Sequence, residues 1–404
     1  MIERALYPIV FADAWGRQMR FISGPRQAGK TTLAKAKLAE QECSALYYLW
    51  DLRKIRDRYR DNELFFTADI PLTQPNVWVC FDEIHKMPKW KNILKGVFDE
   101  TGDRFRFMIT GSAKLNLLKR AGDSLAGRYF TFHLLPLLAS ELVGRTSLAT
   151  SAPESAATLI EQSITNSLGD KQAIDSLLTY GGFPEPYLSQ SQPFYRKWSG
   201  DYLETVIRED IGSLTRIVER ESIYQLYQLL PEMAGSPLSE SSLASHLQIS
   251  PVTVKNYLRR LEDFYLGFSV PPYSRNIKRS LLKARKFYLF DWVRLTDPAA
   301  RYENFIACQL KARMYLWRDA SGEAFDLFYV RNKQKQETDF LLVREGKPWL
   351  LVETKLSDGP VDSHHKIHAE ALGGIPVVQL CREHDIAAMQ AKQVYRISAS
   401  RMLL

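Results

Sequence analysis

Apolar positions change their period along the chain, and each change marks a different kind of element. Three short runs in the first third are apolar without alternation: "MRFIS" at 19–23, "VWVCFD" at 77–82 and "FRFMIT" at 105–110. Unbroken apolarity over so few residues predicts strands covered on both faces, as in a parallel sheet. The first run enters a turn from Gly24 to Gly29 and then "KTTLAKAKLAE", whose alanine and leucine content predicts a helix. Residues 145–175 are rich in Ser, Thr and Ala with few aromatics, which predicts a linker or a variable lid helix. "SIYQLYQLLPEMAG" at 222–235 reads as a further helix.

Between 238 and 266 the spacing becomes helical and is interrupted once. Ser239 is positioned to cap a short helix ending near Leu247, and Ser250 to cap a second one that has Pro251 at its first position. Val254, Tyr257, Leu258, Leu261 and Tyr265 fall on one face, leaving Thr253, Lys255, Asn256 and Arg259 for the other. This predicts a helix-turn-helix, and the basic hairpin-like stretch at 270–290 lies where a winged helix carries its wing.

The last hundred residues predict a helix over 300–317, the strands "FDLFYV", "TDFLLV" and "PWLLVETKL", a helix near 361–372 and the strand "PVVQLC" at 376–381. Counted outward from Gly346, Asp339 falls opposite Glu353, and Lys355 shares the strand face of Glu353. Two carboxylates aimed at each other are unfavourable without a cation between or beside them.

Composition adds bounds. A chain of 404 residues exceeds one ordinary core, and 45% hydrophobic with 25% charged residues is the balance of a soluble globular protein. Four cysteines without metal-ligand spacing predict buried thiols in a reducing cytoplasm. No run approaches the ~18 apolar residues of a membrane span, and the first residues lack the pattern of a secretory signal. The predicted setting is cytoplasmic, with no membrane. The net charge of +8 is modest, but "SRNIKRSLLKARKFY" at 274–288 concentrates basic residues without an acid, so DNA is a candidate partner.

The chemistry begins at Gly24-x4-Gly29-Lys30-Thr31, the phosphate-cradling P-loop pattern. Its backbone from Gly24 through Pro25, Arg26, Gln27, Ala28 and Gly29 to Lys30, Thr31 and Thr32 would wrap the phosphates of a nucleotide, and no residue of the pattern excludes guanine. Lys30 would reach the β- and γ-phosphates, and Thr31 would bind Mg²⁺. Asp82 would hold the same Mg²⁺ through water and Glu83 would activate the attacking water. Thr110 or Ser112 would sense the γ-phosphate.

These pieces resemble AAA-type ATPases, and more narrowly the bacterial and archaeal ATP-binding proteins with "GPRQ-GKTTL", "FDEIHK" and "ITGSA" motifs. "SLAGRYFTFHLLPLLASEL" at 124–142 and "YGGFPEPY" at 180–187 match later segments of that family. The resemblance implies an arginine reading the γ-phosphate in cis or across a subunit contact, with Arg128 and Arg208 as candidates, and it leaves oligomerisation open.

The C-terminal order resembles PD-(D/E)XK nucleases. There Asp339 matches the motif Asp, Glu353-Thr354-Lys355 matches (D/E)xK, and Glu303 matches the acid of the first helix. Thr338 stands where the motif has Pro. The resemblance implies a Mg²⁺ held by Asp339 and Glu353 with Glu303 nearby, and Lys355 orienting a water. An inactive nuclease-like fold that binds DNA or protein is the alternative. A DNA-binding regulator with a vestigial nucleotide site is a third.

The expected fold class is α/β: a P-loop parallel sheet over 1–144, a helical lid or linker over 145–215, a winged helix-turn-helix over 216–295 and a PD-(D/E)XK-like domain over 296–404. DNA contact is expected from Lys255, Asn256, Arg259, Arg275, Lys278 and Arg279.

Overall fold

A computed structural model describes residues 2–70, 76–87, 89–111, 125–146, 150–166, 170–212, 217–274 and 284–404. Two compact units emerge: Leu6–Leu135, and Pro136–Leu404 together with the first five residues. The smaller unit thus interrupts the larger one, and the chain crosses between them at both ends of it. The segments expected to form lid, helix-turn-helix and C-terminal domain all lie within the larger unit. Among the described residues no helix is long and apolar enough to cross a membrane. The four cysteines are buried and unbridged.

The smaller unit contains five parallel strands: β1 (Met19–Ser23), β2 (Tyr47–Leu49), β3 (Val77–Asp82), β4 (Phe105–Thr110) and β5 (Tyr129–His133), in the order β2-β3-β4-β1-β5. β1 and β3 are buried along their whole length, as unbroken apolarity predicts. Because β4 lies between β1 and β3, Thr110 pairs in register with Asp82. The strand bearing the P-loop and the strand bearing the acids therefore end at one edge of the sheet.

The larger unit is built around the helix Pro298–Ser321, capped by Asp297, whose carboxylate accepts from Ala300 N at 2.7 Å. Beside it runs a six-stranded sheet of β8 (Phe325–Arg331), β9 (Glu337–Arg344), β10 (Lys347–Lys355), β11 (Val377–Cys381), β12 (Ala387–Ala391) and β13 (Val394–Ser398), ordered β12-β13-β11-β10-β9-β8. β10 and β11 are parallel and joined through the helix Ser363–Ala371. Leu341, Val343 and Leu351 pack with Ala369 of that helix, and Phe340 meets Tyr288. β12 and β13 extend the sheet beyond the expected final strand.

Two helices form where the sequence predicts them, over Glu240–Leu247 and Pro251–Asp263. Ser239 and Ser250 each accept a hydrogen bond from a backbone N–H of the helix they start, at 3.2 and 3.0 Å. Tyr265 is a correction in detail. It lies past the helix end with φ of 56°, though its side chain is buried as expected. A two-stranded antiparallel ribbon follows, β6 (Gly267–Val270) with β7 (Lys286–Leu289).

The stretch expected to be a linker or a lid helix holds the helices Ala156–Thr165 and Lys171–Tyr180, and it is fastened to the C-terminal residues. Asn166 donates to the carbonyls of Arg401 and Leu404, and Arg401 donates back to those of Ile164 and Asn166. A polar composition here serves long-range hydrogen bonding, which local sequence pattern does not report.

Candidate functional site

In the smaller unit, Gly24 and Gly29 shape the phosphate loop. Gly24 has φ of 153°, and a Cβ there would lie 2.0 Å from the carbonyl oxygen of Leu134, so close approach of two backbones requires glycine. Gly29 has φ of 100° and caps the helix Lys30–Glu40, whose first N–H groups are left without helical acceptors. Lys30 is buried, and its ammonium donates to the carbonyls of Gly24 and Pro25 at 2.9 and 2.6 Å.

Asp82 is the hub of this edge. Its carboxylate accepts from the Thr31 hydroxyl at 3.0 Å, from the Thr110 hydroxyl at 2.6 Å and from the Tyr47 hydroxyl. Burial and the charge of Asp82 push the Tyr47 phenol well above its usual range, so it stays a donor. Thr31 and Asp82 are a hydroxyl and a carboxylate in contact, a donor set of hard oxygens that fits Mg²⁺. Glu83 has φ of 58°, and its carboxylate lies 3.6 Å from the Lys86 ammonium.

Of the expected γ-phosphate readers, Thr110 donates directly to Asp82. Ser112 lies outside the described residues. Arg128 grips Asp99 with both ends of its fork, at 2.8 and 2.9 Å. Arg208, exposed in the larger unit, has Glu204 at 3.5 Å.

In the larger unit the acids of the C-terminal hairpin converge, by a route the residue count did not contain. The turn is the two-residue Glu345–Gly346, both with positive φ, so Arg344 pairs with Lys347. That register alone would put Asp339 opposite Val352 and turn Glu353 to the other face. An irregularity between Pro348 and Leu350 shifts the pairing by one, so that Leu350 pairs with Leu342 and Val352 with Phe340. Trp349, the extra residue, packs edge-on against Trp317 and Phe325. Beyond Val352 the two acids meet: Glu353 accepts from Asp339 N at 3.3 Å, and Asp339 accepts from the amide and hydroxyl of Thr354 at 2.9 and 2.6 Å. The Lys355 ammonium is 2.9 Å from Glu353.

The sequence reading missed Lys286, the first residue of β7. Its ammonium is buried and lies 3.0 Å from Glu303, 2.7 Å from Glu337 and 3.6 Å from Asp339. Burial opposes its charge, but Glu303, Asp339 and Glu337 outweigh that and raise its pKa. Glu303 also accepts from the Tyr288 hydroxyl at 2.7 Å, and it sits against Gly235, where a Cβ would lie 2.9 Å from its carboxylate. Burial first, then the charge of Asp339, push the Glu303 carboxyl up to about 7 despite Lys286 and Tyr288. The same two causes push Glu353 well above the usual carboxylate range. Asp339, Glu353 and Lys355 are thus brought together, while Glu303 is turned to Lys286. Lys286 belongs to a stretch that reads as a solvated basic wing; the apolar run "FYLF" immediately after it is the available sign of burial.

Three histidines sit behind this cluster. The Thr338 hydroxyl contacts His365 Nδ1 at 2.7 Å and His368 Nδ1 at 2.9 Å, which explains a polar residue in the motif's proline position. Burial, then His364 and Lys355, hold His365 down to about 4. Three of the seven histidines within five residues was a signal left unused.

On the helix-turn-helix, Val254, Tyr257, Leu258 and Leu261 are buried, and Lys255, Asn256 and Arg259 are exposed as expected. Arg275, Lys278 and Arg279 lie outside the described residues.

Residues 16–143 match the family model described as "AAA domain". With the strand order and the Thr31–Asp82–Thr110 contacts, that match decides the class of the smaller unit. It is an AAA-type P-loop domain. Residues 171–292 match a second family model, described as a domain of unknown function (DUF8612). An uncharacterized protein of Mycobacterium tuberculosis is 25% identical over 346 residues, spanning 81% of this chain and 68% of its own length. One of Methanocaldococcus jannaschii is 25% identical over 303 residues, spanning 72% and 64%. Among solved structures, the Aeropyrum pernix ORC1 protein in complex with DNA aligns at 14% identity and TM-score 0.29, covering 76% of this chain and 91% of that one. A Pyrococcus horikoshii STAND protein with a tetratricopeptide repeat sensor aligns at 13% identity and TM-score 0.26, covering 76% and 46%. Alignments this loose carry no argument about function.

Proposed function

We propose that the AAA domain binds and hydrolyses ATP, and that its nucleotide state controls a nuclease-like centre in the Pro136–Leu404 unit that acts on DNA. The observation that carries the first half is Asp82 bonded at once to Thr31 of the P-loop and Thr110 of the neighbouring strand. A change at the γ-phosphate would be felt by both hydroxyls through one carboxylate. Lys30 leaves its two loop carbonyls for the phosphates, and Glu83 takes the proton of the attacking water. Bound with ATP, Mg²⁺ supplies positive charge to the phosphates, and Thr31 and Asp82 are the residues that would hold it.

Coupling is supported by the two covalent crossings between the units. The incoming segment is held by Glu141, which accepts from Ala5 N at 2.8 Å and from Arg4 at 3.0 Å. The nuclease-like half rests on Asp339 and Glu353 as cation-binding acids with Lys355 beside them. Exposed Lys255, Asn256 and Arg259 of a winged-helix module supply DNA contact.

Lys286 favours a second reading, a switch whose C-terminal unit binds DNA or protein without cutting, because an ammonium already neutralises the acids there. The test is ATP hydrolysis and plasmid nicking on the same preparations of wild type, Lys30→Ala and Glu353→Ala. The proposal expects Lys30→Ala to lose both activities and Glu353→Ala to lose nicking alone. Hydrolysis without nicking in any state selects the second reading.

A further inference from the structure

Asp362, His364 and His365 form a cluster outside both sites, with ligand atoms within 4.8 Å of one another. Asp362 starts the helix Ser363–Ala371 yet makes no side-chain capping hydrogen bond, so its carboxylate is not used there. His364 Nε2 is 2.9 Å from the carbonyl oxygen of Glu337, which fixes that nitrogen as the N–H and leaves Nδ1 as a lone pair. His365 is fully buried, and its Nδ1 is held by Thr338, while its Nε2 has no hydrogen-bond partner and points within 3.8 Å of a Glu353 oxygen. The two imidazole rings are 3.8 Å apart between centroids.

A buried ring nitrogen without a partner is costly unless something fills its lone pair. Here two imidazoles are each oriented by a protein oxygen on one nitrogen and offer the other, the arrangement that aims histidines at a metal. We propose that Asp362, His364 and His365 bind a divalent first-row transition ion of the Mn²⁺ or Zn²⁺ class, with water completing the shell. Two nitrogens and carboxylate oxygens suit such ions, whereas Mg²⁺ prefers oxygen alone. Ligand atoms on one ion at about 2.1 Å lie no farther apart than about 4.2 Å, so the three groups need at most a small approach to one another to hold it. This site goes beyond ATP hydrolysis and DNA cleavage and requires neither.

The test is Mn²⁺ binding to the full chain, stripped with chelator and free of nucleotide, read by titration and by pulsed electron paramagnetic resonance. The expected result is one tight Mn²⁺ with nitrogen modulation from two imidazoles, retained in excess Mg²⁺ and in Lys30→Ala. In His364→Gln the two-imidazole pattern disappears, and in Asp362→Asn affinity falls about tenfold or more. Both positions lie at the start of a helix and are not fully buried, so the variants are expected to fold, and far-ultraviolet dichroism checks that they do. Bound Mn²⁺ without nitrogen modulation overturns the proposal. So does modulation unchanged in folded His364→Gln and Asp362→Asn, or no binding at millimolar Mn²⁺.

Discussion

Lys286→Met tests how the larger unit is held together. The side chain is 1% exposed and faces Glu303, Glu337 and Asp339 at 3.0, 2.7 and 3.6 Å. Methionine keeps the stem and removes the charge, leaving three carboxylates without their shared cation. Removing one partner of a buried ion pair costs about 3–5 kcal/mol. The carboxylates can limit that loss by taking up protons, and Glu303 is already pushed up to about 7. In the variant the folded state binds more protons than the unfolded chain, so the variant gains stability as pH falls, by about 1.4 kcal/mol per pH unit for each extra proton held. Urea unfolding at pH 8 is expected to show a loss of about 3–5 kcal/mol that shrinks toward pH 5. Lys197→Met is the control: its side chain is 83% exposed and its partner Asp201 71% exposed, and removing this surface pair is expected to cost about 0–1 kcal/mol. A loss at pH 8 no larger than that of the control, or one independent of pH, would refute the reasoning.

Glu83→Gln is expected to keep ATP binding and to slow hydrolysis by about 10²–10⁴, read by steady-state phosphate release. Lys255→Ala and Arg259→Ala are each expected to weaken DNA binding alike on all sequences and to reduce the salt slope by about one, seen by anisotropy at several salt concentrations. Asp291, buried and accepting from Tyr195 and Ser199 at 2.8 and 2.6 Å, has its carboxyl raised by burial. Between the ordinary carboxylate value and the raised one its folded form holds a proton that the unfolded chain has lost, so wild-type stability falls as pH rises through that window. Asp291→Asn is expected to remove that slope from the difference between the two urea-unfolding series.

What the sequence made legible was local. The P-loop, the buried runs of β1 and β3, and the serine caps of the helix-turn-helix depend on residues within a few positions of each other, and each appeared where expected. β12 was not legible because "AAMQA" has neither the alternation nor the branched residues of a strand, and β13 pairs it to a sheet built from residues farther back. The hairpin acids came out opposite each other through two offsets that cancel: a two-residue turn where the count used Gly346 as a pivot, and a bulge at Trp349 set by packing on Trp317. Lys286 could not be located by pattern at all. Its burial depends on acids 17, 51 and 53 positions away, which the strand pairing and the long helix bring to it.

The central claim is that the nucleotide state of the AAA domain governs the centre at Asp339, Glu353 and Lys355. The most direct measurement is nicking of supercoiled DNA with Mg²⁺ or Mn²⁺, with and without ATP, by wild type, Lys30→Ala and Glu353→Ala. Metal-dependent nicking that requires ATP and disappears in both variants is expected. Nicking indifferent to ATP and intact in Lys30→Ala, or no nicking from protein that hydrolyses ATP, would contradict it.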